Sequence, residues 1–197
     1  NQRTDEWGGS LENRMRLLVE IYHEIRRQTS DGFTVALKLN SADFQKGGFS
    51  EDESVQVLAK MAELGIDLLE ISGGNYESPA MMSGIKDSTR RREAYFLDYA
   101  EKARSVIGDV PLVITGGFRS LATMNEALAD GSVDMVGMAK PFAVIPNAAN
   151  QLLNGTLQTL STPPVRTGVK FIDQKFGGFL ELYWYTKQLS LLGAGQP

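Results

Sequence analysis

The chain has no cysteine among its 197 residues. That absence excludes disulfides, thiolate metal sites and cysteine nucleophiles. Histidine is almost missing as well, since His23 is the only one. No apolar run approaches the ~20 residues that a membrane-spanning helix needs. No charged segment followed by an apolar one marks a secretory signal. Excess positive charge is also lacking: 20 Lys and Arg face 24 Asp and Glu, for a net charge of −4. A general basic surface for nucleic acid is therefore not expected. The one basic run, Arg90-Arg91-Arg92, reads as the solvated start of a helix. HExxH, GxSxG and Walker loops do not occur. What remains is an expectation of a cytoplasmic protein with no membrane or nucleic-acid partner.

Hydrophobic residues make up 42% and charged residues 22%, enough for one ordinary globular core. Apolar residues at Leu11, Met15, Leu18, Ile21, Tyr22 and Ile25 follow helical spacing, with Ser10 placed as the N-cap. FTVALKLN, residues 33–40, then reads as a buried strand. The alternation repeats. Helices are expected over 51–63, 91–106, 120–130 and 147–153, and strands over 66–72, 110–117 and 133–139. A tail punctuated by Pro and Gly carries one more amphipathic helix around 180–192.

Strands alternating with helices at this spacing indicate βα units and a parallel sheet. A dinucleotide-binding half would carry its glycine fingerprint directly after the first strand. Here that strand ends in Lys38-Leu39-Asn40, and the glycine pairs follow later strands. The pattern fits a (β/α)8 TIM-barrel type better, yet only four of the eight strands are visible.

Two loops carry candidate chemistry. In ITGGFRS, residues 114–120, Gly116 and Gly117 lead from a strand into a helix, where backbone N–H groups favour an anion. In GMAKPF, residues 137–142, Lys140 follows the next strand and can pair with the same anion. The bland reading is a tight turn and a solvated lysine. Lys38 lies near the C-terminal end of an apolar strand, where barrel residues face the active-site mouth. There it either stabilises charge on a ligand or snorkels to solvent. His23 reads as a surface residue, Asp67 and Asp134 as turn residues, and Asp43 and Glu77 as solvated loop carboxylates. The aromatic cluster Phe179, Tyr183, Trp184 and Tyr185 reads as helix packing.

The opening segment NQRTDEWGGSLENRMR resembles the N-R-T-D-x-Y/W-G-G-S-x-x-N-R motif of the Old Yellow Enzyme family, the FMN-dependent NADH:flavin oxidoreductases. VALKLNSADFQKGGF, GIDLLEISGGNYESP, VITGGFRS, VDMVGMAKPF and LELYWYTKQL are similar to that family too, in its order. The resemblance implies a TIM barrel holding FMN at its mouth, with NAD(P)H as reductant. It implies an activated alkene, such as an α,β-unsaturated carbonyl, as the small-molecule substrate. It places Lys38 beside the flavin ring, and Gly116, Gly117, Ala139 and Lys140 at the FMN phosphate. Ala139 and Lys140 stand where the family has Gly-Arg, and Lys lacks the bidentate fork of Arg.

The resemblance also implies that the chain is the C-terminal half of the barrel, with strands 5–8. On that reading residues 1–28 form the strand-4/helix-4 loop and helix, 33–155 four βα units, and 156–197 the tail. The substrate-activating His pair would precede Asn1, and the missing N-terminal half-barrel or self-association would complete the sheet. The competing expectations are a non-enzymatic half-barrel that binds a phosphate ligand or a partner chain, and another phosphate-binding barrel of the dihydroorotate dehydrogenase or aldolase type. The opening motif and the tail argue against the last.

Overall fold

Strand order separates the barrel reading from a doubly wound sheet. In a barrel consecutive strands are neighbours, whereas a doubly wound sheet reverses direction at a switch point. The computed structural model describes residues 1–44, 46–73 and 86–196, those of 86–94 as backbone only. Glu77 and the side chains of Arg90, Arg91 and Arg92 lie outside the described residues. Its strands are β1 (Ala36–Asn40), β2 (Leu68–Ser72), β3 (Leu112–Thr115) and β4 (Met135–Gly137). They pair in parallel in the order β1-β2-β3-β4. The helices are α1 (Leu11–Gln28), α2 (Glu51–Glu63), α3 (Lys86–Ile107), α4 (Leu121–Ala129), α5 (Ala148–Leu153) and α6 (Lys170–Gly193). This is a segment of an α/β barrel.

Several element bounds differ from expectation. Each strand is shorter by two or more residues, because ladder pairing ends where the loops turn away. α3 begins at Lys86 instead of residue 91, and α6 at Lys170 instead of about 180. The N-cap at Ser10 holds, its Oγ accepting from the Asn13 N–H at 3.3 Å. The complete capping box belongs to α2. Ser50 Oγ accepts from the Glu53 N–H at 3.2 Å, and the Glu53 carboxylate accepts from the Ser50 N–H at 3.1 Å.

The opening motif is a loop that clamps itself. Asn1 Nδ2 donates to the Trp7 carbonyl at 2.6 Å, and Asn13 Nδ2 to the Gly8 carbonyl at 3.1 Å. Arg16 donates to the Glu6 carbonyl at 2.8 Å, while Arg14 reaches Gly9 and ion-pairs with Glu53 of α2. Gly8 is required by close approach: a Cβ there would lie 2.1 Å from the Arg3 carbonyl oxygen. Gly8→Ala is therefore expected to cost about 1–3 kcal/mol of stability, the usual range when backbone must move to admit a group. Urea unfolding reads the change, and a wild-type midpoint would refute the close approach.

Alternation along the strands sorts the sheet into two faces. Leu69, Ile71, Leu112 and Ile114 point to the helix side and are completely buried. They pack with Leu58 and Met61 of α2, Phe96, Tyr99, Ala100 and Ala103 of α3, and Ala127 of α4. The opposite face carries Lys38, Glu70, Ser72, Thr115 and Met135, and Met135 is 57% exposed. That second face is the one a closed barrel turns inward.

At the N-terminal ends of the strands one device occurs twice. Asp67 accepts from the Val35 N–H at 2.6 Å and from Arg26 of α1 at 2.7 Å. Asp134 accepts from the Leu112 N–H at 2.7 Å and from Arg104 of α3 at 2.5 Å. Each carboxylate thus ties a helix and two neighbouring strands together. The expectation that Asp67 and Asp134 are mere turn residues is corrected: their partners are remote in sequence.

Candidate functional site

The C-terminal ends of the strands are the place to look, because loops there can converge on one ligand. β3 ends at Thr115, and Gly116 and Gly117 follow with φ of 98° and 84°. Two successive left-handed residues are the reason glycine is needed here. They turn the chain so that Ser120 caps α4, its Oγ accepting from the Thr123 N–H at 3.3 Å. The Gly116 N–H is already used, donating to the Gly137 carbonyl at 3.1 Å. Among the described residues the Gly117 and Phe118 N–H groups find no acceptor. A Cβ placed on Gly116 would meet nothing within 4 Å, so the turn is open above. This is a cradle that fits a phosphate group.

Ala139 precedes the 3₁₀ turn Lys140–Ala143, which begins beside that cradle because Gly137 is the register partner of Thr115. Lys140 is held toward α6. Its Nζ lies 2.6 Å from a Glu181 carboxylate oxygen on α6 and 5.6 Å from the centre of the Tyr185 ring. Tyr185 is buried, and that burial pushes its hydroxyl above the ordinary value. Arg119, passed over in the sequence, belongs to the same corner. It donates to the Phe118 carbonyl at 2.7 Å and acts electrostatically on Tyr185. Its place directly after Gly-Gly-Phe was the available signal.

Lys38 sits apart, on the edge strand β1. Its Nζ lies 2.5 Å from Glu70 on β2, and its side chain remains 54% exposed. The ladder sets β1 two strand spacings from β3, about 9–10 Å. An exposed cation near the end of β1 and an open glycine turn after β3 thus stand two strands apart.

The other candidates separate from this site. His23 is on the exposed part of α1, edge-to-face with Tyr22 at 5.7 Å. Asp43 closes its own loop, accepting from the Phe49 N–H at 3.1 Å while its N–H donates to the Phe49 carbonyl at 2.9 Å. The aromatic cluster divides: Tyr185 is buried, while Phe179 and Tyr183 are 75% and 71% exposed. The packing expected for those two is corrected, because they lie on the α6 face opposite the one that meets the 3₁₀ turn. No group of acidic or histidine side chains suited to a metal occurs among the described residues. No helix among them is long and apolar enough to cross a membrane.

Comparison with known proteins gives a consistent result. The model of the NADH:flavin oxidoreductase / NADH oxidase family matches residues 1–158. An NADH-dependent flavin oxidoreductase of Aspergillus parasiticus is 39% identical over 158 residues, covering 80% of this chain and 35% of that protein. Another, from a Neonectria species, is 34% identical and covers 97% of this chain, tail included, and 26% of its own length. The solved structure of a 2-naphthoyl-CoA reductase in complex with 2-naphthoyl-CoA superposes with a TM-score of 0.68 at 32% identity. That alignment covers 79% of this chain and 23% of the reductase. The chain therefore spans about a third or less of the length of these relatives. The match over its first four-fifths places it plainly: the chain belongs to the NADH:flavin oxidoreductase / NADH oxidase family, the Old Yellow Enzyme type of FMN-linked α/β barrel.

Proposed function

We propose that this chain supplies the flavin-holding part of an NAD(P)H oxidoreductase that reduces an activated alkene, such as an α,β-unsaturated carbonyl. The observation that carries the reading is the left-handed Gly116-Gly117 turn, open above and followed by the capped start of α4. The name of the solved relative, a reductase of an aromatic acyl-CoA, supports the substrate class. On this reading the Gly117 N–H holds the FMN phosphate, with Gly116 and Ala139 shaping the turn and Lys140 adding charge. Arg119 adds a second cation at the same corner. Lys38 faces the flavin ring and stabilises negative charge there. Bound FMN would supply hydride transfer from the nicotinamide to the alkene. His23 is the only histidine in the sequence, so on this reading residues 1–197 contribute no histidine pair to polarise a substrate carbonyl.

The same reading divides the chain into the loop and helix of 1–28, the βα units of 33–155 and the tail of 156–197. The exposed inner face and the two sheet edges then meet a complementary half-barrel or a second copy. A cytoplasmic setting belongs to the same proposal. The uncovered inner face also favours a second reading, a non-enzymatic half-barrel that binds a phosphate ligand or a partner chain.

Titrating the purified chain with FMN tests the proposal. The expected result is a yellow complex that oxidises NADPH or NADH when the complementary half is present. Gly117→Val, which strains the turn and covers the cradle, is expected to weaken FMN binding about tenfold or more, or at least 1.4 kcal/mol. A chain that stays colourless at saturating FMN overturns the flavin reading and leaves the half-barrel one.

A further inference from the structure

Glu70 is a carboxylate in the middle of the sheet, on the inner face. A position of that kind is costly for an acid unless partners hold it. Two do. Lys38, its register partner on β1, donates from Nζ at 2.5 Å, and the Thr115 hydroxyl of β3 hydrogen-bonds it from the other side. Burial pushes the Glu70 carboxyl up, but these two partners outweigh it and hold it below the usual carboxylate range.

The line continues into β4. Gly137 is the register partner of Thr115, and a Cβ on Gly137 would lie 2.0 Å from Thr115 Oγ1. The missing side chain at Gly137 is what leaves room for the Thr115 hydroxyl. Lys38, Glu70 and Thr115 thus form a polar chain that runs diagonally over three strands, Thr115 lying two residues beyond Val113, the register partner of Glu70, with Gly137 giving it room on the fourth. Stability does not account for this polar chain, since a Lys–Glu pair with the lysine 54% exposed contributes little. Its consequence is orientation: the Lys38 ammonium is directed across the inner face with a fixed counter-charge beside it.

We propose that Glu70 is a positioning residue for the ring end of the flavin site, holding the Lys38 ammonium and limiting the positive charge it presents. Thr115, seated by Gly137, holds Glu70 in turn. This rests on the FMN reading above. Removing the Glu70 charge leaves Lys38 uncompensated, which favours reduced, anionic flavin over the oxidised form.

The experiment measures dissociation constants for oxidised and reduced FMN, with the two-electron potential, in wild type, Glu70→Gln, Glu70→Asp and Gly137→Ala. Glu70→Gln, isosteric and gentle on folding, is expected to shift the ratio of the two constants about tenfold toward the reduced form, or about 30 mV upward. Glu70→Asp restores most of the difference, and Gly137→Ala, by displacing Thr115, moves it in the same direction as Glu70→Gln. An unchanged ratio in Glu70→Gln overturns the proposal. Equal weakening of both forms with a lower melting temperature does so too, since it assigns Glu70 a structural role. A wild-type chain that binds no FMN overturns the flavin reading and this inference with it, and is distinguished from the other outcomes by its lack of colour.

Discussion

Phe96→Ala is expected to remove about 3–5 kcal/mol of stability, the range for truncating a buried aromatic side chain. Phe96 sits on α3 with 1% of its surface exposed, edge-to-face with Tyr95 at 5.3 Å. It belongs to the cluster that joins α3 to Leu69, Ile71, Leu112 and Ile114 beneath the sheet. A domain is stable by only about 5–15 kcal/mol, so this one change takes a large share. Phe179→Ala is the control, because that ring is 75% exposed on α6. Its expected effect is within about 0.5 kcal/mol. Chemical denaturation of both variants reads the contrast. Equal losses would mean that the outer face of α6 is covered in the folded protein, and would refute the exposure described above.

The second large effect comes from the paired clamps at Asp67 and Asp134. The Val35 N–H, followed by Arg26, holds the Asp67 carboxyl below its ordinary value near 3.8. At Asp134 burial pushes upward, and the Leu112 N–H with Arg104 more than offsets it, so the net direction is again down. A carboxylate whose folded pKa is depressed contributes stability above its unfolded pKa and loses it as pH falls through the folded value. The clamps are therefore fully present at neutral pH and fade on acidification below about 4.

Replacing either aspartate with alanine is expected to cost about 1–3 kcal/mol at neutral pH, since a strand N–H loses a charged acceptor. The two sites share no partner, so the double variant should lose close to the sum. Thermal melts at pH 7 and pH 3 check this. The gap between wild type and double variant should narrow at pH 3, and a gap that stays constant would show that the carboxylate charge is not what matters.

Much of the architecture was legible before any coordinates. Ser10 and Ser50 announce helix starts because a short hydroxyl satisfies the first free N–H groups of a helix. Gly116 and Gly117 announce a turn between strand and helix, and their left-handed φ angles give the reason glycine stands there. The β-branched and apolar runs announce parallel strands. Local chemistry decides each of these within a few residues, and so sequence reading recovers them. The motif that identified the family worked the same way, since most of its hydrogen bonds close within a span of ten residues.

Other features depend on residues far apart in the chain. Asp67 looked like a turn residue because its partners Arg26 and Val35 stand 41 and 32 positions away. Lys140 looked like a free cation until α6 brought Glu181 to within 2.6 Å of it. Glu70 drew no notice in an apolar strand, because a sequence gives the alternation of its faces but not which face is covered.

The sequence by itself therefore determined the elements, their order, the glycine turn and the family, all consequences of backbone propensity and short-range spacing. Only the tertiary structure decided that Lys38, Glu70 and Thr115 share the inner face, that Lys140 is held by the tail helix, and that two aspartates lock the lower rim. The physical reason is register: a sheet places side chains from strands tens of residues apart within hydrogen-bonding distance, and only the assembled ladder says which ones.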